Sequence, residues 1–414
     1  MSLETHISGS EDRLISGLHF NGRNTASYIV ARRACTFAPS NAAAWTPRGL
    51  LRFNLADHSG WLDGNTVRLC MTITNNHATS TLSPVGISPA CMLRRVRIIA
   101  NGSCICEDIE EYGRVFQMFS YLLPSQRRFS NMVESWGGLT GATGTIGMPD
   151  MPDPIPANTS RQVCVQLLSP LLSQGKMLPL AMLPLTIELE LAEKDECFAG
   201  SGNDWTITRP RLLADCCDLD QTLQNSYAAH LLSGKSLPIY THGLYSVRSA
   251  IPDGSSLYTL PIARGFTRLS TIYVSFYDGA GKWVSEFFCP LKDKPNVEEE
   301  DDVEWNITIG SERYPQFNCS SVQESAYRLR LATAAHLGTD VSAIPGFKYR
   351  TNQFIIGQSL EKAPGQSSHT GINTRSGSQL CINLRNLGAA TMIHVVMHYE
   401  QILSVSAAGV EVLD

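Results

Sequence analysis

His394 and His398, four residues apart near the C-terminus, are the first pair whose types could do chemistry, since two imidazoles so spaced on a helix can hold a zinc ion. Here they fall in the run MIHVVMHYEQILSV, which reads as a strand, where four residues span about 13 Å and one metal cannot bridge both. No H-x-H and no C-x-x-C occurs in the chain. The triplet Gly234-Lys235-Ser236 has the chemistry of the end of a phosphate loop, but Ala229 stands where the first glycine belongs, and a helix precedes the triplet where a strand is required. Gly137, Gly138, Gly141, Gly144 and Gly147 form no G-x-G-x-x-G, and no G-x-S-x-G elbow exists. The adjacent carboxylates Glu110 and Glu111 read as exposed helix-face residues. No metal, no cofactor and no enzyme activity is expected.

The twelve cysteines lie mostly inside apolar runs and read as reduced core residues. Cys104 and Cys106 alternate on one strand face, without the second pair that zinc would need. Arg94, Arg95 and Arg97 are the one basic cluster in a strand, with Arg95 and Arg97 on a shared face. That face is an exposed or interfacial sheet surface, or it meets carboxylates of a neighbouring subunit. The acidic run at 298–302 reads as a solvated turn, and the four N-x-S/T triplets as chance matches.

Short runs of alternating or β-branched residues, punctuated by Gly, Pro, Asn and Asp every eight to fifteen residues or so, dominate the chain and predict an all-β protein. The first half offers eight strand candidates from Tyr28–Phe37 to Trp205–Cys217. The second offers seven, from Tyr240–Ala250 to Met392–Val405, among them Trp283–Phe288 and Tyr349–Ile356. Three helices carry readable caps. Asp108 with Glu111 predicts a capping box ahead of Ile109, with Pro124 ending the run. Asp218 or Asp220 opens a helix over Leu219–Ser233 that Gly234 stops, and Ser321 with Glu324 caps a third with the stripe Val322, Ala326, Leu329 and Ala332. The unit strand, tight turn, strand, capped helix occurs twice. RRVRIIA-NGS-CICE precedes the first helix and VEWNITI-GSE-RYPQF the third, with Gly102 and Gly310 at 208 residues' offset, about half of 414. Two copies of one β-domain explain the length. Eight or so antiparallel strands per half, with long Gly/Pro-rich excursions at 136–160 and 357–378, fit a jelly roll better than an up-and-down barrel.

Composition narrows the class further. Lys and Arg total 33 against 38 Asp and Glu, a net charge of −5, and the first thirteen residues hold three acids and one Arg, so neither a nucleic-acid groove nor a basic genome-binding arm is expected. Only 17% of residues are charged, which points to a surface covered by something, copies of itself included. The N-terminus lacks a charged and then apolar leader pattern, so no signal peptide is expected, and no 18 uninterrupted apolar residues occur.

The runs SPACMLRRVRIIANGSCICEDIEEYGRVFQMFSYLLPSQRRFSN (88–131), RLLADCCDLDQTLQNSYAAHLLSGKSLPI (211–239) and MIHVVMHYEQILSV (392–405) resemble the double jelly-roll major capsid proteins of Polinton-like viruses and virophages. That lineage includes adenovirus hexon and the capsid proteins of tailless phages and giant viruses. The resemblance runs from about residue 26 to the end and implies two tandem eight-stranded antiparallel jelly rolls with a few short helices. The expected division is an N-terminal arm (1–25), a first jelly roll (26–218), a linking helix (219–234), a second jelly roll (235–405) and a C-terminal tail (406–414). The resemblance further implies a virion component of a DNA virus that homotrimerises into pseudo-hexagonal capsomers of an icosahedral shell, with penton and minor capsid or cement proteins as further partners. Arg95, Arg97, Arg127 and Arg128 are the candidate interface residues. The competing class is a cellular carbohydrate-binding or cupin-like jelly roll.

Overall fold

A computed structural model of the chain describes residues 28–41, 44–56, 60–124, 134, 136, 153–199, 203–253, 255–277, 287–290, 302–337, 344–363, 370–375 and 377–414. Eight principal strands occupy the first half: β1 (Ile29–Phe37), β2 (Leu50–Asn54), β3 (Trp61–Asn75), β4 (Leu93–Ala100), β5 (Cys104–Glu110), β6 (Ser160–Gln166), β7 (Leu185–Leu191) and β8 (Trp205–Leu219). Eight more follow: β9 (Leu237–Ala250), β10 (Leu257–Ile262), β11 (Leu269–Tyr277), β12 (Glu304–Ile309), β13 (Glu312–Cys319), β14 (Ile355–Ser359), β15 (Leu380–Arg385) and β16 (Met392–Ser406), with a final β17 (Gly409–Leu413). Helix α1 (Tyr112–Leu122) follows β5, α2 (Gln221–Leu232) joins β8 to β9, and α3 (Val322–Leu337) follows β13.

The strands pair antiparallel into two sheets per half. In the first half the orders are β1-β8-β3-β6 and β2-β7-β4-β5; in the second they are β9-β16-β11-β14 and β10-β15-β12-β13. Each second-half strand therefore takes the place of the strand eight positions earlier, and α3 takes the place of α1. Eight antiparallel strands wound in that order into two facing sheets are a jelly roll, and this chain contains two. The 208-residue repeat is visible in the turns. Asn101 and Gly102 both have positive φ (50° and 71°) between β4 and β5, and Gly310 has φ 62° between β12 and β13. Such left-handed positions favour Gly and Asn, which is why NGS and GSE sit at equivalent hairpins.

Alternation drives the burial. Val96, Ile98 and Ala100 of β4 enter the first core while Arg95, Arg97 and Ile99 turn outward. In β11 all nine residues are buried, so this strand is covered on both faces.

Three expectations need correction. The first helix begins at Tyr112, not after an Asp108/Glu111 capping box: β5 continues through Glu110, Ile109 is a fully buried strand residue, and Glu111 takes a left-handed φ of 51° with no side-chain cap. Ile109 fits both the strand and the helix pattern, and as a strand residue it pairs with Val96 of β4 and is fully buried, while Asp108 meets Arg95 on the outer face. Tyr349 does not open a strand; it ends the helical turn Gly346–Tyr349, donates its hydroxyl to the carbonyl of Ile355, and β14 starts there. Residues 406–414 hold a strand, since β17 pairs with β16 from Ile402 to Ser406. In Trp283–Phe288, residues 283–286 lie outside the described residues, and Phe287 makes a parallel bridge to Gln353. Strand β10 was not foreseen because Pro261 interrupts its run; the strand tolerates it at the edge of its sheet.

The α3 cap matches its residues closely. Ser321 Oγ accepts from Glu324 N at 3.1 Å, and the Glu324 carboxylate reaches back to Ser320 N at 3.2 Å. Val322, Leu329 and Ala332 are buried below it. Replacing Ser321 by Ala removes that acceptor and is expected to cost about 1 kcal/mol, read as a lower melting temperature with an unchanged far-UV circular dichroism spectrum at 25 °C.

Candidate assembly surface and the joint between the barrels

The two jelly rolls meet through β5 and α1 of the first and the β9-β16-β11 face of the second. Side chains of one barrel bond to the backbone of the other: Gln401 Nε2 donates to the Cys106 carbonyl (3.0 Å), Ser246 Oγ donates to the Glu110 carbonyl (2.5 Å), and Lys176 Nζ donates to the Pro238 carbonyl (3.4 Å). Two aromatic contacts lie beside them. Phe119 of α1 meets Tyr273 of β11 edge-on at 5.5 Å between centroids, and Tyr121 meets Phe287 at the same separation. The left-handed backbone at Glu111 turns the chain from β5 into α1, and the Glu111 carboxylate pairs with Arg248 of β9 at 3.2 Å. Arg114, also on α1, is buried with its guanidinium 4.0 Å over the Tyr277 ring.

His394 lies in this joint, opposite Arg248 on one side and Ser275 on the other. It is 1% exposed, and neither ring nitrogen has a hydrogen-bond partner. Burial, with Arg114 and Arg248 adding to it, pushes its pKa down to about 3. His398 is placed differently, with its ring stacked 4.6 Å from that of His242 and its Nδ1 3.4 Å from Ser270 Oγ. The two imidazoles are separate parts of the packing. Among the described residues no group of three or more His, Cys, Asp or Glu side chains is arranged to hold a metal.

Glu107 of β5 is the joint's buried acid. Its carboxylate accepts from Ser169 Oγ (2.6 Å) and from the Leu171 amide, at the start of the helical turn Pro170–Ser173 that packs on β3 and β9. Burial outweighs both hydrogen bonds and raises its pKa to about 7.

Of the arginines singled out, Arg95 and Arg97 do share the outward face of the β2-β7-β4-β5 sheet, each about one-third exposed. Carboxylates of the same chain meet both. Arg95 forks onto Asp108 with two 2.7 Å bonds and reaches Glu110 at 3.2 Å; Arg97 lies 3.5 Å from Asp108 and 3.8 Å from Glu188; and Glu188 also holds Arg52 at 2.5 Å. The result is a ladder of alternating charges across four strands, with internal neutralisation in place of the neighbour's carboxylate. Arg127 and Arg128 lie outside the described residues.

Sequence reasoning missed the apolar surface around the linking helix. Leu223, Tyr227 and Leu231 of α2 fall at the spacing of an apolar stripe, but only Leu231 is buried; Leu223 and Tyr227 line an apolar cleft of about 500 Å³ with Trp61, Ile29, Leu219 and Leu237. Tyr28, Val30, Leu232 and Tyr240 are exposed nearby in sequence. Further apolar groups face outward on the second barrel: Phe317 on β13, and Tyr327 and Leu331, which share one side of α3.

No family model matches the sequence, and no curated protein matches it. Comparison with solved structures is informative. Vp54 of the virus PBCV-1, as fitted into a reconstruction of the virophage Sputnik, superposes with a TM-score of 0.61 at 10% identity, covering 92% of this chain and 96% of that one. A chain of the 3.5 Å cryo-EM structure of Sputnik gives 0.59 at 11% identity over 98% and 93%. The Faustovirus major capsid protein gives 0.58 at 9% identity over 98% and 96%. The chain has the double jelly-roll fold. The match takes in both barrels and nearly the whole of each chain, so the tandem arrangement is shared as well as the single barrel. These neighbours are capsid proteins, and the cellular carbohydrate-binding or cupin-like alternative finds no support among them.

The joint of this double jelly roll is pH-sensitive from both sides. Between about pH 3 and 6.5 the unfolded chain binds a proton at His394 that the folded chain rejects, so stability falls as pH drops through that range. Between about 4.5 and 7 the folded chain keeps a proton on Glu107 that the unfolded chain releases, so that contribution is full below 4.5 and is lost as pH rises through 7. The shift at Glu107 corresponds to about 3–4 kcal/mol at most, and that at His394 to somewhat more. Melting temperatures recorded from pH 4 to pH 8 are expected to show a shallower acid limb in His394→Leu and a shallower upper limb in Glu107→Gln than in the unsubstituted protein. Parallel curves for all three proteins would exclude both groups as the source.

Proposed function

We propose that this chain is a viral major capsid protein, a structural component without enzyme activity, which homotrimerises into pseudo-hexagonal capsomers that build an icosahedral shell. The observation that carries the reading is the strand-for-strand equivalence of two jelly rolls fixed to each other by a buried joint. Three such chains present six similar barrels around one axis, so a hexagonal position on a lattice is filled by three identical chains. The structural neighbours, capsid proteins covered over more than nine-tenths of their length, support the same reading.

The surface suits repeated self-contact. Charged residues are scarce, and the cores of protein interfaces are depleted in Lys, Glu and Asp and enriched in aromatic residues. The outward Phe317 (80% exposed), Tyr327 and Leu232 (82% exposed) supply apolar groups for such contacts. Arg95 and Arg97, with their carboxylate ladder, supply a polar sheet face for a rim contact; Arg127 and Arg128 are further proposed interface residues. Penton and minor capsid or cement proteins are the further partners, with the virion as location. Sequence-specific nucleic-acid binding is no part of the reading, in line with the net charge of −5.

Light scattering on the purified protein at micromolar concentration is expected to return three times the 45.4 kDa of one chain. A stable, folded monomer under those conditions contradicts the proposal.

A further inference from the structure

Cys70 of β3 and Cys164 of β6 stand directly opposite each other on neighbouring antiparallel strands, with their sulfurs 2.7 Å apart. That separation is well inside the sum of two sulfur van der Waals radii. The hydrogen bonding around Cys164 says which kind of cross-strand pair this is. A residue in an antiparallel strand points its N–H and C=O to the same side, and the Cys164 N–H donates to the Glu134 carbonyl at 2.7 Å, away from β3. Cys70 and Cys164 are therefore a non-hydrogen-bonded pair, the type in which the Cα atoms approach to about 4.5 Å and the side chains lie closest. This lies within the Cα separation that a disulfide spans, roughly 4.4–6.8 Å.

We infer that Cys70 and Cys164 are a built-in modification site, a thiol pair that a small-molecule disulfide oxidises to an intrachain cystine without movement of the sheet. The reaction is two exchanges with oxidised glutathione. A thiolate of one cysteine attacks a glutathione sulfur, forming a mixed disulfide and expelling one glutathione thiolate; the thiolate of the second cysteine then displaces the second glutathione. The two protein thiols lose two protons and two electrons, and the glutathione disulfide takes them up as two thiols. Other cysteines are placed differently: the Cys35 and Cys216 thiols also touch, but as a diagonal pair with Cys35 opposite Ala214; Cys104 and Cys106 follow each other along one strand; and Cys91 points its thiol at the Cys197 carbonyl.

The consequence is mechanical. β6 is the end strand of its sheet, and the bond would tie it covalently to β3 across 94 residues of sequence. Cys70 is buried and Cys164 partly exposed, so the incoming disulfide meets Cys164 first. Burial and the neighbouring thiol raise the Cys164 pKa to about 12, which keeps the thiolate scarce at neutral pH. Oxidation is therefore slow at pH 7, and its rate is expected to rise about tenfold per pH unit. The inference concerns the first barrel alone and stands independently of the proposed function.

The full-length protein is incubated with oxidised glutathione at pH 8.5, alkylated under native and then denaturing conditions, and digested for peptide mass mapping. The expected result is a Cys70–Cys164 linked peptide, two hydrogens lighter than the sum of its parts, and a melting temperature raised by several degrees that dithiothreitol reverses. Neither change is expected in Cys164→Ser or, should that variant fold poorly, in Cys70→Ser. Recovery of both cysteines alkylated after prolonged oxidation, or their linkage to other cysteines, overturns the inference.

Discussion

The second barrel carries a sheet that cannot face water, and the first barrel exists in the geometry it has because it covers that sheet. All nine residues of β11 are buried, and so are His394 to Gln401 on β16. One face of these strands fills the second core; the other is closed by β5 and α1 of the first barrel together with α3 of the second, whose Ala332 carbonyl accepts from the Tyr273 hydroxyl. Without the cover of β5 and α1, Tyr277 and the unpartnered His394 would be hydrated, and several apolar side chains would each forgo about 1.5–3 kcal/mol of burial. The two jelly rolls are therefore one folding unit in energetic terms, although each has its own pair of sheets.

That dependence makes the proposed function physical. A lattice tile must present its edges at fixed angles, and a tile of two barrels does so only if the barrels do not rock. Aromatic contacts, backbone-directed hydrogen bonds and the Arg248–Glu111 pair supply the stiffness. Arg114 and Arg248 both lie near His394 and disfavour its protonation, so a proton on His394 would add positive charge to a buried space that already holds two guanidinium groups. Stability near neutral pH thus depends on His394 staying neutral. On the outside the opposite economy holds, since the Arg95 and Arg97 ladder is neutralised within the chain and leaves the apolar positions free to define contacts.

Much of this was legible in the residues. The alternation of β4 and β12, the NGS and GSE turns and the Ser321 cap each have a local physical cause, and each has the predicted form. The duplication followed from them because equivalent turns need equivalent left-handed residues. Features that depend on a distant partner were not legible. Asp108 read as a helix cap because its strand role needs Arg95 thirteen residues earlier; Glu111 read as an exposed acid because Arg248 is a barrel away. The burial of His394 and Glu107 has no local signal at all. Leu223 and Tyr227 have the spacing of an apolar stripe, yet α2 spans the outside of the joint and turns them to a surface cleft.

Electron microscopy of the purified protein in negative stain tests the central claim most directly, because it sees the tile itself. The account predicts particles of pseudo-hexagonal outline, six lobes from three chains, with the two lobes of each chain at a constant spacing. Two-lobed single chains, or lobes whose separation varies from particle to particle, would contradict it.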